Sequence, residues 1–181
     1  MNKKLVEFVQ DIYCTKEFIP LHAPTFSGNE KKYVEKTIDS TFVSSVGQYV
    51  NDFELGIENY TGCTKAIAVV NGTAALHIAL YMAGVKPKDL VITQALTFVA
   101  TCNTLYHMGA SPVFVDVSAK SLGLCPEATA AWLEQNAILD ESGDCIHKVT
   151  RQRVSAIVPM HTFGHPVQID ELLQVLSLIH I

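Results

Sequence analysis

A glycine and a threonine stand where an apolar segment of the sequence changes into a helical pattern. The segment VVNGTAALHIAL covers residues 69–80 and places Gly72 and Thr73 at this junction. The first turn of a helix offers free backbone N–H groups and a partial positive charge, which favour a bound anion. Gly72 would let a phosphate approach the backbone, and Thr73 would add a hydroxyl donor. The same residue types also cap helices, so a helix cap and a phosphate site both remain open.

Aromatic and polar residues follow two other apolar segments. Thr97 and Phe98 come after the segment that ends near residue 93, where an aromatic ring is suited to stacking on a planar cofactor. Taken alone, Phe98 is more typical of a core residue that opens a helix. His161 and His165 lie in VPMHTFGHP, whose glycine and proline indicate a loop. Because no third ligand has matching spacing, a loop role or a substrate contact is favoured over a zinc site.

Short apolar segments alternate with helical patterns from residue 66 onward, which is typical of an α/β protein with a parallel sheet covered by helices. The pattern predicts four strands, at 66–70, 90–93, 112–117 and 154–160. It predicts helices at 2–13, 49–60, 73–83, 98–108 and 126–138, and a capping box, Ser27 to Glu30, at the start of another. The polar segment 140–153 is expected to be a surface connector.

Composition excludes several classes of protein. The 181 residues are 49% hydrophobic and 17% charged, with a formal net charge of -5 and no long basic segment, which argues against binding to nucleic acid or to a membrane surface. The five cysteines include no C-x-x-C pair, so neither a disulfide framework nor a zinc site is predicted. The amino terminus lacks the features of a signal peptide, and no apolar run reaches about 18 residues. We expect a cytoplasmic protein.

Five segments, in order between Phe18 and Leu173, resemble the DegT/DnrJ-type (StrS-like) sugar aminotransferases. They are IPLHAPTFSGNEKKYV, IDSTFVSSVGQYVNDFE, VVNGTAALHIAL, ITQALTFVATCNTLYHMGASPVFVDV and IVPMHTFGHPVQIDEL. The resemblance implies the large-domain fold of the type I, aspartate aminotransferase-like enzymes that use pyridoxal 5'-phosphate (PLP), here with an incomplete, mostly parallel sheet. STFVSSVG, TQALTFVAT and VPMHTFGHP are most similar to the branch that aminates UDP-linked sugars for legionaminic acid or bacillosamine.

The resemblance also implies two sets of site residues. Gly72, Thr73 and Ala74 would receive the phosphate of the cofactor, and Phe98 would stack on its pyridine ring. The second set lies near the pocket that binds the sugar substrate and comprises Phe42, Ser44, Thr97 and His161. No residue is assigned to a metal.

Two residues that the family uses for catalysis have no counterpart in this sequence. The family carries an acidic residue, after the region that matches HTFGHP, which pairs with the pyridine nitrogen, and a later lysine that forms the Schiff base. The last lysine here is Lys148, and the sequence stops following the family near Leu176. We therefore expect an inactive amino-terminal fragment, with a helical segment at 1–48 and a truncated part of the large domain at 49–181.

For the complete protein, the resemblance implies transfer of an amino group, from a donor such as glutamate, to C4 of a UDP-linked 4-keto-6-deoxy-N-acetylhexose. The product would serve the synthesis of surface glycans or nonulosonic acids, and the protein would be a homodimer. Two alternatives remain open. One is a PLP-dependent sugar dehydratase of the same family, and the other is a module that lacks the Schiff-base lysine and binds a nucleotide sugar.

Overall fold

The structure is a computed structural model that describes residues 2–20 and 23–177. The chain forms two compact units, Met1–Ala68 and Val69–Ile181. Within the described ranges, none of the helices combines the length and the apolar character that crossing a membrane requires.

Among its described residues, the first unit has three helices joined by irregular segments. These are α1 (Lys3–Ile12), α2 (Glu30–Asp39) and α3 (Gln48–Thr61). The side chain of Asn2 caps α1 by accepting a hydrogen bond from the N–H of Lys4, at 3.1 Å. Gly62 follows α3 as its C-cap. The helices predicted at 2–13 and 49–60 are thus confirmed.

The capping box predicted from Ser27 to Glu30 is wrong. Helix α2 begins at Glu30 itself, and Asn29 at its N-cap position makes no side-chain hydrogen bond. The Glu30 carboxylate instead accepts the N–H of Gly28, at 2.9 Å. Glu30 is the first helical residue rather than the third, so Ser27 lies too far before the helix to cap it.

The strand predicted at 66–70 is also absent from the described residues, where this segment is irregular. Two backbone N–H groups that a sheet would use are bound by carboxylates of α3 instead. Ala66 donates to Glu58 at 3.0 Å, and Ala68 donates to Glu54 at 2.8 Å. The bond from Ala66, together with the ammonium group of Lys65, lowers the pKa of Glu58. Local side-chain acceptors therefore replace the sheet partners that an apolar segment ordinarily needs.

The second unit has a parallel sheet between helices. Its described elements are α4 (Gly72–Met82), β1 (Leu90–Gln94), α5 (Val99–His107), β2 (Ser111–Val115), α6 (Pro126–Asn136), β3 (Ala137–Leu139), β4 (Cys145–His147), β5 (Val154–Val158) and α7 (Ile169–Ser177). Strands β2, β1 and β5 pair in that order, all parallel, with Ile92 opposite Val113 and Ile157. The predicted strands at 90–93, 112–117 and 154–160 and the three predicted helices are confirmed in type and near position.

Three features of this unit differ from the prediction. The parallel sheet has three strands within the described residues rather than four, because 66–70 does not join it. The polar segment 140–153 is not a simple connector, since it contains β4, which pairs with the preceding β3 in an antiparallel hairpin. Asp140 closes the hairpin by accepting the N–H groups of Ser142 and Asp144, at 2.9 and 3.0 Å. Helix α7 was not predicted.

The core consists of two apolar clusters that meet at β1. Successive residues of a strand point to opposite faces of the sheet. Leu90 and Ile92 accordingly belong to one cluster, which contains residues of α6 and α7, while Val91 belongs to the other, with Leu80 of α4 and Leu105 of α5. All five residues of β1 are buried. Burial on both faces explains why this strand begins with three successive apolar residues, Leu90 to Ile92.

An ion pair joins the amino-terminal ends of β1 and β5. Arg153 Nη2 lies 2.6 Å from Asp89 Oδ2 and also 2.6 Å from the carbonyl oxygen of Gly84. The Asp89 side chain is only 9% exposed. Burial alone raises the pKa of Asp89, but hydrogen bonds from Arg153 and from the N–H of Lys86 outweigh it, so that the pKa is lowered. The pair therefore stabilises the folded protein with Asp89 ionised.

We expect Arg153→Leu to lower the free energy of unfolding by about 2 kcal/mol, because it leaves a largely buried carboxylate without its cation. Urea unfolding at pH 7 measures this loss. Arg151→Leu is the matched control, since Arg151 is exposed and forms no ion pair in the described residues, and its effect should stay within about 0.5 kcal/mol.

The same pair predicts a pH dependence. The folded-state pKa of Asp89 is lowered, so its contribution is complete above the unfolded-state pKa of about 3.9 and is lost as the pH falls through the folded-state value. The difference in stability between the wild type and Arg153→Leu should therefore shrink below about pH 4. A difference that stayed constant from pH 7 to pH 3 would contradict this assignment.

Candidate functional site

The amide side chain of Gln94 occupies the carboxyl-terminal end of β1 and is completely buried. Its Oε1 accepts the N–H of Met160 at 3.1 Å. Its Nε2 lies within hydrogen-bond distance of three acceptors: the carbonyl oxygens of Leu96 and Leu122, at 3.0 and 3.1 Å, and Thr162 Oγ1, at 2.9 Å. One side chain thus connects three loops at this end of the sheet.

Two threonine hydroxyls extend this network. Thr162 is buried, and its hydroxyl donates to the carbonyl oxygen of Leu122 at 2.8 Å. The Thr93 hydroxyl donates to the carbonyl oxygen of Val158, at 2.8 Å, and ties β1 to the end of β5. Hydrogen-bonded groups that are shielded from water hold their geometry well. The loops that follow β1 and β5 are therefore anchored where the sequence places several site residues.

Thr97 and Phe98 lie in the loop after β1 and are held by the sulfur of Met160. The Thr97 hydroxyl donates to this sulfur at 3.4 Å, and the N–H of Phe98 donates to it at 3.3 Å. Phe98 is the N-cap residue of α5, and the residue is 70% exposed. The interpretation of Phe98 as a core residue is therefore wrong, although it does precede a helix.

The first turn of α4 has a cap and free donors at the same time. Asn71 caps the helix, because its side chain accepts the N–H of Ala74 at 2.9 Å. Among the described residues, the N–H groups of Gly72 and Thr73 and the hydroxyl of Thr73 have no hydrogen-bond partner. A Cβ atom placed on Gly72 would meet nothing within 4 Å. The two interpretations left open by the sequence are therefore compatible, since the cap uses Asn71 and leaves two amides free.

This turn fits a phosphate group. Two N–H groups and one hydroxyl without partners in the described residues lie together at the positive end of a helix dipole, in an exposed turn with open space beside Gly72. The Ala74 N–H already bonds to Asn71, so Ala74 contributes its small side chain rather than a free amide. Helices α4 and α5 pack against each other in the same unit, and this unit therefore carries both the phosphate turn and Phe98.

His161 and His165 flank a 3-10 turn, Thr162–Gly164, so that the predicted loop is confirmed. Nδ1 of His161 accepts the N–H of Val167 at 3.1 Å. In the neutral ring the hydrogen must then be on Nε2, which makes the exposed imidazole a hydrogen-bond donor. Within residues 2–20 and 23–177, no group of three or more side chains is arranged to hold a metal ion.

Phe42 and Ser44 lie in the first unit, in the loop between α2 and α3. They line a cavity of about 630 Å³ whose other walls include Lys36, Tyr49 and Asp52. The hydroxyl of Ser44 is part of a local turn, since it accepts the N–H of Val46 at 3.2 Å. These two predicted residues thus share one cavity, whereas the other six lie in the second unit.

Three residues that organise this site received no role from the sequence. Gln94, Met160 and Thr162 stand inside the segments that carry the family resemblance, but their contacts join positions more than 60 residues apart. The only local signal was a polar side chain directly after the apolar residues of β1.

We expect Gln94→Leu to lower the free energy of unfolding by about 1 to 3 kcal/mol, because it leaves the N–H of Met160 without its acceptor and the carbonyl oxygen of Leu96 without its donor. Urea unfolding measures the loss. Gln174→Leu is the control, since Gln174 is exposed on α7 and its change should stay within about 0.5 kcal/mol. Equal stability of the two variants would show that the network contributes nothing.

Comparisons with known proteins connect this geometry to a family. The DegT/DnrJ/EryC1/StrS aminotransferase family matches residues 24–178. The GDP-perosamine synthase of Caulobacter vibrioides is 37% identical over 157 residues, which are 87% of this chain and 38% of that protein. The spore coat polysaccharide biosynthesis protein SpsC of Bacillus subtilis is 34% identical over 158 residues, 87% of this chain and 36% of its own. The chain thus spans less than two fifths of the length of these relatives.

Solved structures agree in fold. An aminotransferase from Psychrobacter cryohalolentis superposes with a TM-score of 0.72 and 28% identity over 91% of this chain and 37% of its own. Spr1654 of Streptococcus pneumoniae, whose solved structures include PMP and PLP forms, has a TM-score of 0.69 and 26% identity for the PMP form, over 88% of this chain and 36% of that one.

These matches confirm the predicted α/β fold, a part of the type I large domain with a mostly parallel sheet, and the family together with the PMP and PLP forms of Spr1654 points to pyridoxal phosphate as the cofactor. The chain belongs to the DegT/DnrJ/EryC1/StrS aminotransferase family.

Proposed function

We propose that the complete protein is a PLP-dependent aminotransferase that transfers an amino group to a keto carbon of a nucleotide-linked sugar. The observation that carries this proposal is the open first turn of α4, where Gly72 and Thr73 keep free N–H donors in the unit that also exposes Phe98. Family membership over residues 24–178 supports the same reaction class.

The residues of this chain would bind and orient the cofactor. Gly72 and Thr73 would donate hydrogen bonds to its phosphate, and Asn71 would hold the turn in place through its bond to the Ala74 N–H. The ring of Phe98 would cover one face of the pyridine ring. When bound, the cofactor supplies an electron sink for the bond changes at the amino-bearing carbon. The role of these residues is thus to hold the phosphate of PLP and to fix the orientation of its pyridine ring.

Candidate substrate contacts are proposed within each unit by itself. His161 offers an Nε2–H donor at the end of β5, which suits a hydroxyl or a phosphate oxygen of a nucleotide sugar. Phe42 and Ser44 line the cavity of the first unit, where an apolar wall and a hydroxyl suit a sugar ring. Thr97 remains in this set, although its hydroxyl hydrogen is directed to a sulfur atom.

The finer identity of the substrate is part of the proposal. We favour C4 of a UDP-linked 4-keto-6-deoxy-N-acetylhexose as acceptor and glutamate as donor, in the synthesis of legionaminic acid or bacillosamine. A GDP-linked sugar is the second candidate, because GDP-perosamine synthases are 32 to 37% identical to this chain. We also propose that the complete protein is a homodimer, on the family resemblance, and that it is cytoplasmic, on its composition. We further propose that the large domain begins after residue 48, on the family resemblance.

We expect the complete protein, but not the 181-residue chain alone, to form an amino sugar from glutamate. The chain alone has no residue that matches the family's Schiff-base lysine, and its last lysine is Lys148. Mass spectrometry of reactions with UDP-linked and GDP-linked 4-keto-6-deoxy sugars measures the product and decides between the two nucleotides. Turnover by the chain alone would overturn its proposed inactivity. Nucleotide-sugar binding without PLP would favour the binding module, and elimination of water would favour the dehydratase.

We expect Thr73→Val in the complete protein to raise the Kd for PLP about tenfold. Valine keeps the shape of the side chain but removes the hydroxyl that would donate a hydrogen bond to the phosphate. Titration of the cofactor-free protein, followed by absorbance, measures the constant. Thr150→Val is the control, since Thr150 is exposed in the turn between β4 and β5 and its change should leave the Kd unchanged. An unchanged Kd for Thr73→Val would remove this hydroxyl from the phosphate site.

A further inference from the structure

Met160 presents its sulfur as an acceptor to two donors of one loop. The N–H of Phe98 lies 3.3 Å from Sδ, and the hydroxyl of Thr97 lies 3.4 Å from it. Thr101 adds a hydroxyl contact to Thr97 at 3.0 Å. The next two amides, of Val99 and Ala100, have no protein acceptor within the described part of the chain. The sulfur therefore accepts the backbone N–H of Phe98, while the amides that follow it have no such partner.

The backbone of Met160 is fixed in turn. The N–H of Met160 donates to Gln94 Oε1 at 3.1 Å. The Nε2 of the same Gln94 side chain donates to the carbonyl oxygen of Leu96 at 3.0 Å. The loop 95–98 is thus held twice, once directly by Gln94 and once through Met160. Both attachments lead back to the last residue of β1, which is completely buried.

Methionine often serves only to fill gaps in an apolar core. Met160 does not fit that role, because neither apolar cluster of the second unit includes it, whereas Met108 packs against the cluster that contains Leu105. What Met160 contacts instead is a pair of polar hydrogens and a buried amide. A leucine of similar volume would keep the packing and lose the acceptor.

We infer that Met160 is a positioning residue that holds the backbone of Phe98, and with it the exposed ring, in the orientation needed to cover the cofactor. This inference rests on the proposed function, since it takes Phe98 as the ring that stacks on PLP. Met160 is not proposed to contact the cofactor itself. It acts through the N–H of Phe98, and its loss should weaken cofactor binding only while the ring is present.

A double-mutant cycle in the complete protein tests this coupling through the Kd for PLP, with Met160→Leu, Phe98→Leu and the double variant. We expect Met160→Leu to raise the Kd about three- to tenfold, which is the effect of one net hydrogen bond. In the Phe98→Leu background, the same change should have no further effect. Met108→Leu, a methionine of the core, is the matched control and should leave the Kd unchanged.

The outcomes separate this inference from the proposed function. If the protein does not bind PLP, or if Phe98→Leu leaves the Kd unchanged, the proposed stacking fails and the inference fails with it. If Phe98→Leu weakens binding and Met160→Leu does not, the inference alone is overturned. Equal, additive effects of Met160→Leu in both backgrounds would also overturn it, because they would indicate a structural role independent of the ring.

Amide hydrogen exchange in the complete, cofactor-free protein gives a second measurement that needs no variant to fold. We expect the Phe98 amide, bound to the sulfur, to exchange at least about tenfold more slowly than the unbonded amides of Val99 and Ala100. Exchange of Phe98 as fast as its two neighbours would show that the sulfur does not hold it and would overturn the inference.

Discussion

The buried amide of Gln94 is the interaction on which the site depends. It stands at the end of a strand that is buried on both faces, where a polar group without partners would cost about 1 to 3 kcal/mol. Its donor and acceptor are both satisfied, but only by groups from three different loops. The cost of leaving the amide unpaired therefore keeps those loops together, and the loops carry Thr97, Phe98 and His161.

The opposite end of the sheet is fixed by charge rather than by a neutral amide. Arg153 and Asp89 join the starts of β5 and β1 in a site that is only partly accessible to water. Between these two ends, side chains of β1 alternate between the two apolar clusters. Strand β1 is thus held by hydrogen bonds at one end, an ion pair at the other and apolar packing along both faces, which makes it the rigid element behind the site.

The proposed cofactor site differs from this interior in the state of its polar groups. At the first turn of α4, the amides of Gly72 and Thr73 remain free at the surface, while Asn71 uses its side chain to hold the turn. Free donors are tolerated there because water reaches them. A phosphate can replace that water, and the open space above Gly72 leaves room for it. Buried polar groups with all their hydrogen-bond partners thus position the loops, and exposed N–H groups without partners are available to bind a phosphate.

The length and flanking residues of the apolar segments determined the type and order of most elements, because a short apolar run such as the start of β1 is typical of a buried strand, whereas α4 and α5 follow longer patterns that end at Gly84 and Gly109. The family motifs also indicated the turn at Gly72 and Thr73 from local sequence alone. Tertiary structure decided the rest. The loss of the strand expected at 66–70 and the presence of the β3–β4 hairpin depend on which groups accept the backbone N–H donors, and α3 and Asp140 provide those groups. The contacts of Gln94 and Met160 join residues over 60 positions apart, and no local pattern encodes a partner at that distance.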